Sequence, residues 1–494
     1  MSISARLLRS LNRTATTLYG ETPTYASDEE AIQASLKILE SRDVYADRLF
    51  TGWRDRLAAQ LSDLMERLAL RGVAPDLFAA IETLRATLAE APADSEDAEL
   101  FQQRAMRDWS LLVQTLAADP RIPAAERTRI VFDTADAELT RIAELCGGLL
   151  PKGDAVDISV TGPRLERYLV DRFADDSIRV TAFRPLPGGY GKETTLFEVE
   201  GQALAGAFVM RRDRDEPTMD NDCHRVSAEF PVIRAAWDKG FPAPEALWVD
   251  TDHKLLPGGD FLIMARAPGE SGGNVHGASG AVDGALIDLL AGSVARLHQL
   301  PAMRELGDLT NGISTELWDL PLQEVSRRYI ASIRDLYLAE MVMPSPAVLA
   351  LYGWLLDHVP DAPGRAVLLH GDIGFHNFIV DEGRLSAVVD WEFAHIGDPA
   401  DDVGYVRNTV GGSLDWGDFM TAYRAAGGPD LSEERVRFFQ IWGHVRNLTA
   451  SQLTTNKFET GRLDELKLGH VGHSMMAGFL KPIRDMMAAG SDPS

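Results

Sequence analysis

Residues 367–391 decide the fold, and they read Val367-Leu-Leu-His-Gly-Asp-Ile-Gly-Phe-His-Asn-Phe-Ile-Val-Asp-Glu-Gly-Arg-Leu-Ser-Ala-Val-Val-Asp-Trp391. Apolar runs in this stretch predict three short strands, at residues 367–369, 378–380 and 385–389. Polar side chains fall where these strands end, and they are His370, Asp372, Asn377 and Asp390. The sequence therefore predicts a polar cluster at one edge of a small sheet.

The types of these polar residues suit phosphoryl transfer. That reaction needs a carboxylate to receive the proton of the attacking hydroxyl, and an amide oxygen and a second carboxylate to hold Mg²⁺ against nucleotide phosphates. Asp372 is the candidate for the first role, and Asn377 and Asp390 are the candidate metal ligands. Turns rich in Asp and Gly are common without any such role, so the combination in its strand context is what indicates a site.

The spacing of these residues resembles that of a known fold family. Asp372-x4-Asn377, followed 13 positions later by Asp390, is similar to the catalytic and metal loops of the protein-kinase-like fold. The His370-Gly-Asp opening resembles the aminoglycoside phosphotransferase and choline kinase branch. The tail Val389-Asp-Trp-Glu-Phe-Ala-His-Ile-Gly-Asp-Pro-Ala-Asp-Asp-Val-Gly-Tyr405 looks most like the kinase domains associated with acyl-CoA dehydrogenases, which phosphorylate hydroxyacyl-CoA substrates.

This resemblance covers about residues 160–475 and implies an α+β, bilobal protein-kinase-like fold with a small β-rich N-lobe and a large helical C-lobe. It also implies that His370 acts in the catalytic loop and that Asp402 orients the backbone of that loop. A segment with Pro, Gly and charge, 149–155, predicts the linker before the kinase-like part. We expect three regions: an all-α N-terminal domain at 1–150, an N-lobe at 151–266 and a C-lobe at 267–494.

A glycine-rich segment at residues 186–195 is the candidate phosphate cradle, since glycines let a turn present its N–H groups to an anion. It joins two predicted strands and lacks the spacing of a Walker A loop. By itself it indicates only a β-hairpin turn. Beside the downstream polar residues it resembles the nucleotide-covering loop of a kinase N-lobe, which implicates Gly188, Gly189, Gly191, Lys192 and Thr194 in binding ATP.

The third predicted strand ends at Arg211, where protein kinases carry a lysine that grips the α- and β-phosphates. The acyl-CoA-dehydrogenase-associated subgroup tends to use arginine there, although arginine and lysine bind phosphate with different geometry. The resemblance makes Glu229, on the next helix, the candidate partner of Arg211. It also places adenine against the hinge backbone, at Met264, Ala265 and Arg266.

Long amphipathic helices are predicted in the first 148 residues. Leu49, Trp53, Leu57, Leu61, Leu64 and Leu68 recur at spacings of four and three, typical of one helix face. No group of catalytic residues accompanies them, so we expect a helical bundle that packs against the kinase-like part or forms a homo-oligomer. Later helices are expected at 162–173, 285–300, 316–338, 345–359 and 432–455.

Composition narrows the class of partner. The formal net charge of −25 argues against a nucleic-acid partner, because phosphate backbones would be repelled. No apolar run is long enough for a membrane helix. The two cysteines, Cys146 and Cys223, cannot form a disulfide framework, which favours a reducing, cytoplasmic location. Arginines at positions 6, 9 and 13 fit a transit peptide or, as we prefer, a basic first helix.

The preferred interpretation is an ATP- and Mg²⁺-dependent kinase that phosphorylates a hydroxyl of a small molecule, with a hydroxyacyl-CoA metabolite as the leading acceptor class. One alternative is a kinase for an aminoglycoside or macrolide antibiotic, because an acidic protein suits a cationic acceptor. A second alternative is a nucleotide-binding regulator without turnover. The intact set of Asp372, Asn377 and Asp390 argues against that regulator.

Overall fold

Helices and strands are mixed along the chain in the computed structural model, which describes residues 46–70, 75–90, 95–145, 160–186, 191–214, 217, 219, 224–251, 254–256, 258–271, 284–463 and 466–490. The mixed α and β architecture with leading helices, predicted from the sequence, is confirmed. Predictions for Gly188, Gly189, the two cysteines, the linker and the basic N-terminal segment lie outside the described residues.

The helices are α1 (Ala46–Leu70), α2 (Pro75–Ala89), α3 (Ser95–Ala118), α4 (Ala124–Leu145), α5 (Gly162–Phe173), α6 (Val226–Asp238), α7 (Gly284–His298), α8 (Leu322–Glu340), α9 (Pro346–Asp357), α10 (Ala400–Val410), α11 (Trp416–Ala425), α12 (Glu433–Thr460) and α13 (Leu466–Gly490). The strands are β1 (Arg179–Leu186), β2 (Lys192–Glu200), β3 (Gly206–Asp213), β4 (Ala246–Asp250), β5 (Phe261–Ala265), β6 (Glu270–Ser271), β7 (Val367–Leu369), β8 (Phe378–Asp381), β9 (Arg384–Val388) and β10 (His395–Gly397). Within these ranges, no helix is both long and apolar enough to cross a bilayer.

Strands β1 to β5 form one antiparallel sheet in the order β1-β2-β3-β5-β4. Strand β2 buries Thr195, Phe197 and Val199 and leaves the alternate glutamates exposed, as expected for a sheet with one covered face. Helix α5 supplies that cover, because its buried Leu165 and Leu169 share a core with the phenylalanines of the sheet. The register places Thr194 of β2 opposite Arg211 of β3.

Two smaller sheets carry the segment that opened the sequence analysis. Strand β7 pairs with β10, and β8 pairs with both β6 and β9. The polar loop after β7 ends in a 3₁₀ turn over Phe375–Asn377. Asp390 lies two residues after the end of β9. Both polar segments therefore meet at the same edge.

One predicted helix boundary is wrong. The helix expected over 316–338 is split into a 3₁₀ turn at Thr315–Asp319 and the helix α8, which begins at Leu322. Pro321 explains the break, because a residue that precedes proline is driven out of the helical conformation.

Contacts divide the chain into two units. One unit contains α1–α4 together with the segments Ile330–Val359 and His444–Ser494, and the other contains Val156–Tyr329 and Pro360–Gly443. The five-stranded sheet and the polar cluster both belong to the second unit. The first unit thus joins the N-terminal helices to segments that the sequence analysis placed in the C-lobe.

The N-terminal helices have their partners within the same chain. In α1 the predicted apolar stripe is buried from Trp53 to Leu68, with Leu61 and Leu68 fully covered, and the Leu49 side chain lies outside the described residues. Helix α3 packs on α9, and Ser110 Oγ donates to the carbonyl of Pro344 at 2.7 Å. An ion pair of 2.8 Å also joins Arg484 of α13 to Asp136 of α4. The amphipathic faces of these helices are therefore covered, at least in part, by the chain's own later helices.

Candidate active site

Asp372 lies in the loop after β7, where two neighbouring side chains hold its carboxylate. His376 Nε2 lies 3.2 Å from Oδ1, and Asn377 Nδ2 donates to Oδ2 at 2.9 Å and to the Asp372 carbonyl at 2.8 Å. Burial would raise the pKa of Asp372, but the hydrogen bond and charge of His376 outweigh burial and lower it. The carboxylate is therefore ionised and fixed in direction.

His370 is fully buried, and its ring connects the two polar segments. Its Nδ1 accepts the N–H of Asp372 at 3.3 Å, so Nε2 carries the proton and donates to the carbonyl of Val389 at 3.0 Å. Burial lowers the pKa of His370, which agrees with a neutral ring. His370 thus ties the Asp372 loop to the strand that leads into Asp390.

Asp402, at the start of α10, lies under the same loop. Its Oδ2 accepts the N–H of His370 at 3.0 Å, and its Oδ1 accepts the N–H of Gly371 at 2.8 Å. His298 of α7 lies 3.3 Å from Oδ2 and 2.8 Å from the hydroxyl of Tyr423. Sequence reasoning did not assign His298 or Tyr423 to this site, because the contacts of His298 with Asp402 and with Tyr423 each cross more than 100 residues.

Asp390 turns the chain with a positive φ of 69°, a conformation that few residues other than glycine adopt. Its carboxylate accepts from Arg211 Nη2 at 2.7 Å. Burial opposes ionisation of Asp390, but the Arg211 guanidinium outweighs it and lowers the pKa to about 2. The two residues predicted to hold a metal and a phosphate therefore contact each other in this structure.

A buried charge network surrounds this pair. Glu229 of α6 is fully buried, with Oε1 at 3.6 Å from Arg211 Nε and Oε2 at 3.4 Å from Lys192 Nζ. Lys192 also binds Glu392 Oε2 at 2.8 Å. The structure thus brings Arg211 to Glu229 as the resemblance implied, and adds Lys192 and Glu392. Sequence reasoning missed Glu392, although its place two residues after Asp390 was a possible signal.

The hinge residues lie at the end of β5. Met264 is buried within the sheet, and Arg266 is exposed, with Nη1 4.0 Å from Glu198. The N–H of Ala265 donates to the Glu245 carbonyl and that of Arg266 to the Ala207 carbonyl, both at 2.9 Å. These two amides are engaged inside the protein, so an adenine at this hinge would need other backbone groups.

The donor set of Asn377 and Asp390 suits Mg²⁺. The amide nitrogen of Asn377 is used by Asp372, so its oxygen is the atom that can face a cation. Over the ranges that the structure describes, no cluster of three or more His, Cys, Asp or Glu side chains could hold a metal. A small set of oxygen ligands is nevertheless what Mg²⁺ uses when substrate phosphates and water complete its shell.

Comparison with known protein families assigns this chain to one of them. The model of the phosphotransferase enzyme family matches residues 182–439, slightly more than half of the chain. The chain belongs to that family. The match begins within β1 and includes β2 to β5 and every polar residue of the candidate site from Lys192 to Asp402. The candidate site therefore lies within the part of the chain that matches the family.

Relatives of this phosphotransferase include acyl-CoA dehydrogenase family members. Member 11 of Gallus gallus is 28% identical over 250 residues, which cover 49% of this chain and 30% of that protein. Member 10 of Mus musculus is 27% identical over 207 residues, covering 41% of this chain and 18% of that protein. The match thus spans less than a third of each relative.

Among solved structures, a putative aminoglycoside phosphotransferase from Ralstonia eutropha aligns with a TM-score of 0.47 and 17% identity. The alignment covers 67% of this chain and 98% of that one. A macrolide 2'-phosphotransferase from Brachybacterium faecium aligns with a TM-score of 0.40 and 21% identity, covering 64% and 98%.

Proposed function

We propose that this phosphotransferase moves the γ-phosphoryl group of ATP to a hydroxyl of a small molecule. The observation that carries the proposal is the ionised, doubly held carboxylate of Asp372, close enough to Asp390 for the two charges to interact. A carboxylate so placed can accept a proton, while Asn377 and Asp390 present oxygens to a cation.

In this proposal the acceptor hydroxyl attacks the γ-phosphorus, the bond from that phosphorus to the bridging oxygen of ADP breaks, and the hydroxyl proton passes to Asp372. Asn377 and Asp390 would hold Mg²⁺, which neutralises charge on the phosphate oxygens when it is bound. Arg211 would leave Asp390 to contact the nucleotide phosphates. His370 and Asp402 act as positioning residues, since they contact the loop and not the reacting atoms.

For the acceptor, we propose a hydroxyacyl-CoA-type metabolite. The support comes from two sources, the Asp-Trp-Glu and Gly-Asp-Pro tail after Val389 and the relatives named as acyl-CoA dehydrogenase family members. The matched segment covers 30% and 18% of those two relatives.

The test is an assay of ADP release by the purified protein with ATP and Mg²⁺ against hydroxyacyl-CoA esters, aminoglycosides and macrolides. We expect release that depends on a hydroxyacyl-CoA ester and is lost in Asp372→Asn. Asp390→Ala should abolish Mg²⁺-dependent nucleotide binding measured by calorimetry. If ADP is released only with an aminoglycoside or macrolide, the proposed acceptor class is wrong and the protein is an antibiotic kinase. Binding of Mg²⁺-ATP without any turnover would indicate a regulator.

A further inference from the structure

The carboxylate of Glu392 lies against Gly191 and Lys192 of the glycine-rich segment. A Cβ atom added to Gly191 would lie 2.9 Å from Glu392 Oε2 and 3.2 Å from Oε1. The next residue, Lys192, places its ammonium 2.8 Å from the same Oε2. Glycine at position 191 therefore lets the chain approach this carboxylate, and Lys192 binds it.

The residue that precedes Glu392 is held by two hydrogen bonds. The N–H of Trp391 donates to Glu229 at 3.2 Å, and its indole N–H donates to the Val388 carbonyl at 2.8 Å. The Trp391 side chain is buried. Because the backbone before Glu392 is fixed by these bonds, its carboxylate is a fixed anchor for Lys192.

Glu392 is also close to the second cation of the network. Arg211 Nη2 lies 3.8 Å from Glu392 Oε2, while the Glu392 side chain itself is only 15% exposed. Removing one partner from a largely buried ion pair is costly, because the other charge is left uncompensated. Glu392 therefore constrains the positions of the two cations beside it. Burial raises the pKa of Glu392, although Lys192 partly offsets this effect.

We propose that Glu392 is a positioning residue of the nucleotide site, which holds Gly191 and Lys192 against the turn that carries Asp390. This inference rests on the proposed function, because it assumes that the glycine-rich segment covers a nucleotide. The segment with Lys192 and Arg211 and the segment with Asp390 and Glu392 are more than 170 residues apart in sequence. With Glu392 in this role, the two segments keep one relative position before ATP binds.

Positioning and simple electrostatics make opposite predictions for Glu392→Gln. Removing a negative charge near a polyanionic nucleotide would, by charge alone, lower the KM for ATP. Loss of the anchor should instead raise the KM for ATP about tenfold and leave the KM for the acceptor unchanged. A folding defect would act differently, because a smaller folded fraction lowers the apparent kcat without changing either KM.

A double-mutant cycle with Lys192→Met tests whether the anchor acts through the ammonium. We expect Glu392→Gln to change the KM for ATP less than about twofold in the Lys192→Met background, because the contact is already lost. Gly191→Ala should reproduce the rise in KM, since its methyl group displaces the carboxylate without changing any charge. Glu193→Gln is the matched control, because Glu193 pairs with Arg212 at 3.2 Å and is half exposed.

Calorimetry with Mg²⁺ and a non-hydrolysable ATP analogue separates this inference from the proposed function. If the unmodified protein binds the analogue and Glu392→Gln binds it equally or more tightly, the positioning role is wrong and the proposed function stands. If the unmodified protein does not bind the analogue, the proposed function is wrong and this inference is wrong with it.

Discussion

Arg211 binds Asp390 directly, with Nη2 2.7 Å from Oδ1. The two residues come from different segments, the end of β3 and the turn after β9, and they are the candidate ligands of phosphate and metal respectively. Since the Arg211 guanidinium and a divalent cation beside the same carboxylate would repel each other, the Arg211 contact opposes metal binding in the nucleotide-free protein. We therefore expect Arg211 to favour binding of the nucleotide and to oppose binding of the metal alone.

Arg211→Met should weaken Mg²⁺-ATP binding and strengthen binding of the metal alone. The KM for ATP should rise about tenfold or more because the proposed phosphate contact is lost, while Asp390 becomes free to bind a cation. Titration with Mn²⁺ in the absence of nucleotide should show severalfold tighter binding than in the unmodified protein. Arg212→Met is the control, since Arg212 lies beside Arg211 but pairs with Glu193. Unchanged Mn²⁺ affinity in Arg211→Met would show that the pair does not compete with metal.

Asp372→Asn should lower kcat by about 100-fold or more and leave ATP affinity nearly unchanged. The reason is that Asn377 and Asp390 remain, while the proposed acceptor of the hydroxyl proton is lost. Single-turnover rates and nucleotide binding measured on the same preparation check both parts. Near-normal transfer would mean that the carboxylate only holds the loop, and a parallel loss of ATP binding would mean that it acts on the nucleotide.

The pH dependence of kcat should report His376. Burial acts to lower the pKa of His376, but the bond to Asp372 outweighs it and raises the pKa above its usual value of 6.5. Protonated His376 weakens Asp372 as a base, so kcat should increase as the pH rises through this raised pKa and His376 loses its proton.

In His376→Gln that dependence should disappear from a plot of log kcat between about pH 5.5 and 9. His358→Gln is the control, because His358 is partly exposed and lies in the other unit. A profile in His376→Gln that coincides with that of the unmodified protein would exclude His376 from the proton balance of Asp372.

Leu116→Ala should destabilise the unit that contains the N-terminal helices by about 2–5 kcal/mol, since Leu116 is fully buried and its loss leaves a cavity. Leu111→Ala in the same helix is the matched control, because Leu111 is 50% exposed and its removal should cost about 0.5 kcal/mol or less. Denaturant unfolding measures both. Equal stability of the two variants would show that α3 is not packed in solution as it is here.

Local pattern alone was enough to predict the elements that surround the site. Helix α5 at Gly162–Phe173 and strand β7 at Val367–Leu369 have the predicted bounds. The reason is that periodic apolar residues and nearby breakers act over a few positions. Asp372, Asn377 and Asp390 also lie within 20 residues of each other, so short loops suffice to bring them to one edge.

Tertiary structure decided which charges meet. The sequence contains 74 acidic residues, and nothing in their local surroundings distinguishes Glu392 as the partner of Lys192. The sequence likewise did not show that helices α1–α4 share a unit with segments 330–359 and 444–494. An amphipathic pattern predicts which face of a helix is buried, but it does not identify the surface that covers that face. Ion pairs and helix packing depend on distances that the fold of the whole chain determines. Only the tertiary structure therefore revealed them.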